Sequence, residues 1–105
     1  MTDSKLNGML GLARRAGKVS LGHDAALTAV KQRAAHLCLV ASDASERLHT
    51  EFARAVQAFG GNIPLIKSDY TMAEFGQVLG AKTTAVLTVN DRDFAKRISE
   101  LIGRE

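Results

Sequence analysis

The stretch His36-Leu37-Cys38-Leu39-Val40-Ala41-Ser42-Asp43-Ala44-Ser45 decides the fold class. His36 to Ala41 reads as a strand with apolar side chains on both faces, so both faces must be covered. Ser42-Asp43-Ala44-Ser45 then supplies the short polar side chains that make turns and cap helices. Behind it Leu48, Phe52, Ala55, Val56 and Phe59 recur at i, i+4, i+7, i+8 and i+11, one face of an amphipathic helix. Gly60-Gly61-Asn62 stops that helix. A fully buried strand turned into a long helix is the unit from which α/β domains are built.

The same alternation extends in both directions. Upstream, Leu6, Met9, Leu10 and Ala13 share a helical face, which predicts a helix from about residue 4 to Ala16, capped by Asp3 or Ser4 and stopped by Gly17. Gly8 and Gly11 lie inside it, where glycine costs roughly 1 kcal/mol against alanine, and close packing is the expected return. Val19-Ser20-Leu21 is a short extended piece between Gly17 and Gly22. Ala26, Leu27, Val30 and Ala34 predict a second helix over 23–34. Downstream, Ile63-Pro64-Leu65-Ile66 is a short strand whose proline belongs at its start or at an edge. Ser68-Asp69-Tyr70-Thr71 opens a helix with Met72, Phe75, Val78 and Leu79, closed by Gly80. Thr84 to Val89 is a second buried strand. Asn90 or Asp91 caps a last helix carrying Phe94, Ala95, Ile98, Leu101 and Ile102. Strands separated by helices predict a single-domain, three-layer α/β/α sandwich spanning residues 1–105.

Composition agrees. At 46% hydrophobic and 24% charged over 105 residues, the chain has the makeup of an ordinary globular domain and not of a disordered one. No apolar run approaches the roughly 20 residues that span a bilayer, and the first residues lack the pattern of a secretory signal. Cytoplasmic residence, away from membranes, is the expectation. The single cysteine, Cys38, excludes an intrachain disulfide, and its apolar run predicts a buried thiol acting as a small hydrophobe.

The net charge of +3 is unevenly placed. Residues 1–34 carry Lys5, Arg14, Arg15, Lys18, Lys31 and Arg33 against Asp3 and Asp24, whereas residues 35–80 carry a surplus of carboxylates. A basic N-terminal third is the footprint of an anionic partner, and equally that of a solvated surface. Catalytic motifs fail inspection. Gly11 to Lys18 resembles a phosphate loop, but five residues separate its glycines where four are needed, and Val19 stands where serine or threonine should follow the lysine. His23, His36 and His49 are too scattered to predict a metal site, and no cofactor or catalytic residue is expected. Phe52, Phe59, Phe75 and Phe94 fall on apolar helix faces and are assigned to the core, which leaves no aromatic platform for bases. The remaining constellation is Arg14-Arg15 and Lys18 beside the turn into Gly22-His23-Asp24. There a glycine precedes a helix N-terminus whose free N–H groups suit phosphate.

Leu6-x-x-Met9-Leu10-Gly11-Leu12-Ala13-Arg14-Arg15-Ala16-Gly17-Lys18 with Leu21-Gly22, Leu37–Ala41 with Ser42-Asp43-Ala44-Ser45, Gly60-x-x-Ile63-Pro64-Leu65, and Phe75-Gly76-x-x-Leu79-Gly80 before Thr84–Val89 together resemble the kink-turn RNA-binding ribosomal-protein family. That family includes the archaeal-type large-subunit proteins L-seven-Ae and L-thirty-e, and the likeness is greatest to its small bacterial YlxQ-like members. The resemblance covers nearly the whole chain. It implies an α/β/α sandwich around a small mixed sheet and noncatalytic RNA binding, with structured RNA of the kink-turn or ribosomal kind as partner; a monomer is the expectation. It also implies an RNA surface joining the start of the second helix to the loop before the last strand. Gly22 and His23 match the family's helix-start motif, but Asp24 replaces its asparagine or lysine and Ala25 its glutamate or glutamine, the side chains used on sheared G·A pairs. An acidic residue near this point is a feature of the YlxQ-like subgroup. On this reading Arg14, Arg15, Lys18, Lys31 and Lys82 neutralise phosphates, Gly22, His23 and Asp24 shape or read the RNA, and Thr83 and Thr84 meet its backbone. The competing expectation is a protein–protein adaptor on the same fold that has lost RNA recognition, as Ala25 hints.

Overall fold

The computed structural model describes residues 4–61 and 63–102. Asp3, named above as a cap, and Asn62, part of the expected helix stop, lie outside them. The elements are α1 (Ser4–Arg15), β1 (Val19–Leu21), α2 (His23–Lys31), β2 (Leu37–Val40), α3 (Glu46–Ala55), a π-helical turn (Val56–Gly60), β3 (Leu65–Lys67), α4 (Met72–Leu79), β4 (Val86–Val89) and α5 (Arg92–Ile102). The four strands form one mixed sheet in the order β1-β4-β2-β3, antiparallel at both β4 edges and parallel between β2 and β3.

Alternation along the two central strands separates the layers. Leu37, Leu39, Ala41, Leu87 and Val89 pack with Leu6 and Leu10 of α1, Phe75 of α4 and Ile98 of α5. Cys38, Val40 and Val86 point the other way, onto Ala26 of α2 and Phe52 of α3. The result is the expected three-layer sandwich, with all four residues of both β2 and β4 buried. Phe52 and Phe75 are fully buried and contribute about 1.5–3 kcal/mol each. Tyr70 is also buried; it stacks on Phe75 at 5.0 Å and its hydroxyl donates to the Asn7 carboxamide oxygen.

At α3 and α5 the capping residues fall where the sequence placed them, whereas Ser4 is the first residue of α1 rather than its cap. Ser45 accepts from the Leu48 N–H at the start of α3, and Asp91 accepts from the Phe94 N–H at the start of α5. Asn90 turns instead to Thr88 and Ser20. Thr71 and Glu74 form a reciprocal capping box on α4. Pro64 sits just before β3, its carbonyl accepting from the Cys38 N–H.

Three expectations are corrected. The second helix ends at Lys31 rather than 34, because Arg33 takes a left-handed conformation at φ 61° and turns the chain into β2. Phe59 is 40% exposed: the helix widens into a π turn after Ala55, and the α-helical phase that would have buried Phe59 is lost. Gly8 does not serve close packing, since a Cβ there would meet nothing within 4 Å.

Candidate nucleic-acid interface

Gly22 joins β1 to α2. Its N–H donates to the Val86 carbonyl at 2.9 Å and its carbonyl accepts from the Ala26 N–H at 3.0 Å. Its backbone lies at φ 87°, ψ 170°, a region that only glycine occupies without strain. It offers no side chain to cap the helix, so the first-turn N–H groups and the positive end of the α2 dipole lie beside three exposed residues, His23, Asp24 and Ala25.

The loop Gly80–Thr84 enters β4 beside this point. Gly80 closes α4 in a left-handed conformation, and the chain then doubles back along the helix. Ala81 N–H donates to the Gly76 carbonyl (2.8 Å), Thr84 N–H to the Met72 carbonyl (3.0 Å), and the Thr84 hydroxyl to the Lys82 carbonyl (3.1 Å). Lys82 and Thr83 are exposed, whereas Thr84 is buried with its hydroxyl engaged inside the loop. Thr84 therefore sets the loop's shape from within.

His23 is held by two carboxylates. Its Nδ1 lies 2.8 Å from Asp24 Oδ1 and its Nε2 lies 2.9 Å from Glu51 Oε1 on α3, with the ring edge-on to Phe52. Both contacts are hydrogen bonds at once only when both nitrogens carry protons. The bond to Asp24, then that to Glu51, raises the imidazole pKa above its ordinary value. The helix start thus carries one titrating cation between two anions.

The basic residues divide into two groups. Arg14 donates from Nη1 to the Leu79 carbonyl at 2.5 Å, bracing the C-terminus of α4 where the loop begins. Arg15 is exposed over Gly11. Lys18 lies at the opposite end of β1 from Gly22: its carbonyl accepts from the Asn90 N–H, and four residues of extended chain separate the two by about 13 Å. Lys31 ends α2, about 12 Å along the helix from His23. Gly22, His23, Asp24 and the Lys82–Thr84 loop are therefore brought to one end of the sheet, with Arg14 at the base of that loop, while Lys18 and Lys31 stand at the other end.

The roles of two residues here escaped sequence reasoning. Glu51 is 28 positions from His23, and no local pattern pairs them. Gly76 admits the loop against α4, and its signal was a glycine within a helical run. Cys38 is buried, and burial pushes its thiol up to about 12, so it behaves as the small hydrophobe expected. Among the described residues no helix is long and apolar enough to cross a membrane.

The site thus sits on a three-layer sandwich around a small mixed sheet, with a glycine-started helix set beside a helix-pinned loop. Residues 4–99 match the model of the Ribosomal protein L7Ae/L30e/S12e/Gadd45 family, and the chain belongs to that family. It is 31% identical over 98 residues to RNA-binding protein YlxQ of Enterococcus faecium, covering 93% of this chain and 91% of that protein. Among solved structures, a Bacillus halodurans protein of unknown function superposes with a TM-score of 0.87 at 25% identity, over 96% of this chain and 99% of that one. The Giardia lamblia 15.5kD RNA binding protein shares the fold, with a TM-score of 0.72 at 16% identity over 99% and 90% of the two chains.

Proposed function

We propose that this chain is a noncatalytic RNA-binding protein that holds structured RNA at the start of α2 and along the loop before β4. The observation that carries this reading is the juxtaposition of Gly22 with the strand that loop 80–84 feeds: the Gly22 N–H donates directly to Val86. Uncapped N–H groups and a helix dipole suit a phosphate, and Lys82 and Thr83 are exposed to meet the adjoining backbone. Family membership and the YlxQ relative support the same conclusion. Arg14, Arg15, Lys18 and Lys31 add sequence-independent attraction.

The mode of reading follows from the side chains at the helix start. Ala25 offers no hydrogen bond, and the Asp24 carboxylate is committed to His23. Affinity then rests on phosphates and shape rather than on a sheared G·A pair. The protein acts in the cytoplasm, with ribosomal or translation-related RNA as its partner and no cofactor. Calorimetric titration with a kink-turn duplex, and with the same duplex carrying a disrupted G·A pair, tests this. Salt-sensitive binding that differs little between the two supports the reading, and absence of binding to both contradicts it.

A protein–protein adaptor is the second reading. One observation favours it: Leu12 is 47% exposed over a cleft of about 530 Å³ shared with Met9 and Phe94. In the same titration, RNA silence from both duplexes favours the adaptor.

A further inference from the structure

At the end of the sheet opposite Gly22, the π-helical turn and the chain leaving α2 enclose a cleft of about 450 Å³. Phe59, Arg33 and His36 line it, with Ala35 and Ile63 among the residues beneath. Three features of this cleft are unexplained by the fold.

The first is Phe59 itself. The π turn carries its ring out of the core and leaves it 40% exposed. π-helical turns are rare and concentrate at functional sites. The second is Arg33. The Arg33 N–H donates to the Val30 carbonyl at 3.0 Å and the Ala34 N–H to the Ala29 carbonyl at 2.9 Å, which is the helix-ending motif whose left-handed position belongs to glycine. Arg33 fills that position at φ 61°, and among the described residues no other non-glycine residue has a positive φ. Holding an arginine there costs stability that glycine would not. The third is charge. Arg33 and His36 face the cleft and its lining includes no carboxylate. The chain segments that supply it, residues 25–42 and 52–68, contain Lys31, Arg33, Arg54 and Lys67 and no aspartate or glutamate.

An exposed aromatic face beside a guanidinium in a carboxylate-free cleft suits a ligand that is flat at one end and anionic at the other. A nucleotide has that shape and charge, and base–aromatic stacking tolerates any base. The molecule is 34 Å in its longest dimension, so RNA anchored at Gly22 reaches the cleft through a short unpaired extension. We propose that this cleft is a second RNA contact, where a nucleotide of a single-stranded segment stacks its base on Phe59 and sets its phosphate against Arg33. The inference rests on the RNA-binding reading above and adds a distinct site to it.

The test is an amide-resolved NMR titration of the full chain with a short oligoadenylate and, separately, with a blunt kink-turn duplex. Oligoadenylate shifts the amides of residues 33–36 and 57–61 and leaves those of 22–26 and 80–84 in place. Phe59→Ala weakens oligoadenylate about five- to hundred-fold, the range expected for one lost base–aromatic stack, and leaves duplex affinity within about two-fold. Arg33→Gly raises the melting temperature, because it relaxes the backbone, and also weakens oligoadenylate. That combination separates a ligand contact from a fold contact. Adenosine monophosphate that binds as tightly as the strand overturns the single-strand assignment in favour of a free nucleotide. If the duplex binds while oligoadenylate leaves the cleft unmoved, or Phe59→Ala binds as wild type does, this inference alone is overturned. If neither RNA binds, the RNA-binding reading falls and takes this one with it.

Discussion

A Cβ placed on Gly76 would stand 2.2 Å from the Lys82 carbonyl oxygen and 3.2 Å from that of Ala81. No real Cβ contact to backbone is so short, so α4 and the loop before β4 fit together only through the missing side chain. The loop's geometry beside Gly22 is therefore written partly at position 76.

Gly76→Ala is expected to displace the loop and destabilise the fold by about 1–3 kcal/mol, the usual cost of forcing volume into a packed contact. Gly8→Ala is the matched control. Nothing lies within 4 Å of its added carbon, and alanine replaces glycine inside α1 with a gain of roughly 0.5–1 kcal/mol. Urea denaturation of both variants reads the two opposite signs.

The His23 contacts predict a pH dependence. Its pKa is raised in the fold by Asp24 and then Glu51. The stabilisation is therefore fully present below the ordinary histidine value near 6.5 and is lost as pH rises through the raised folded value. Comparing His23→Gln with wild type by thermal melting should show a larger deficit near pH 5.5 than near pH 8.5. A deficit of equal size at both pH values would mean that the ion pairs contribute nothing. RNA affinity should follow the same direction, since the protonated ring offsets two carboxylates at the helix start.

Much of this was legible because it is local. Ser45, Asp91 and Thr71 announce helix starts by residue type and spacing, and the all-apolar Leu37–Val40 strand requires cover on both faces. What escaped depends on backbone choices or distant partners. Phe59 keeps perfect α-helical spacing with Phe52 and Val56, and only the π turn takes it out of phase. Arg33 gives no glycine signal where the helix ends. Lys18 stands four residues from Gly22 in sequence, yet an extended strand puts those four residues end to end and holds the two apart. Glu51 reaches His23 only because α3 packs beside the start of α2.

Salt titration reads the electrostatic share of binding. The logarithm of affinity should fall by roughly 0.7–0.9 per phosphate neutralised for each unit of log salt. Lys82→Ala and Arg14→Ala should weaken all RNAs about equally and flatten that slope. Arg14→Ala should also lower thermal stability, because the Leu79 carbonyl loses its partner.

Side-chain readout can be restored at the helix start. Asp24→Asn with Ala25→Glu rebuilds the pair that the resemblance assigns to sheared G·A recognition. A bidentate base contact is worth about 1–3 kcal/mol in duplex DNA, and a gain of that order is expected for kink-turn RNA. The double variant should also become sensitive to disruption of the G·A pair. A wild type that already loses its affinity when the pair is disrupted would contradict the roles given to Asp24 and Ala25, and would move recognition to Lys82 and Thr83.

The central claim is that RNA is held where the start of α2 meets the loop before β4. NMR mapping of the full chain with a kink-turn duplex measures this most directly. The account predicts that amides of residues 22–26 and 80–85 shift together on titration while those of α5 stay in place. Shifts confined to the Met9, Leu12 and Phe94 face, or no shifts at any RNA concentration, would contradict it.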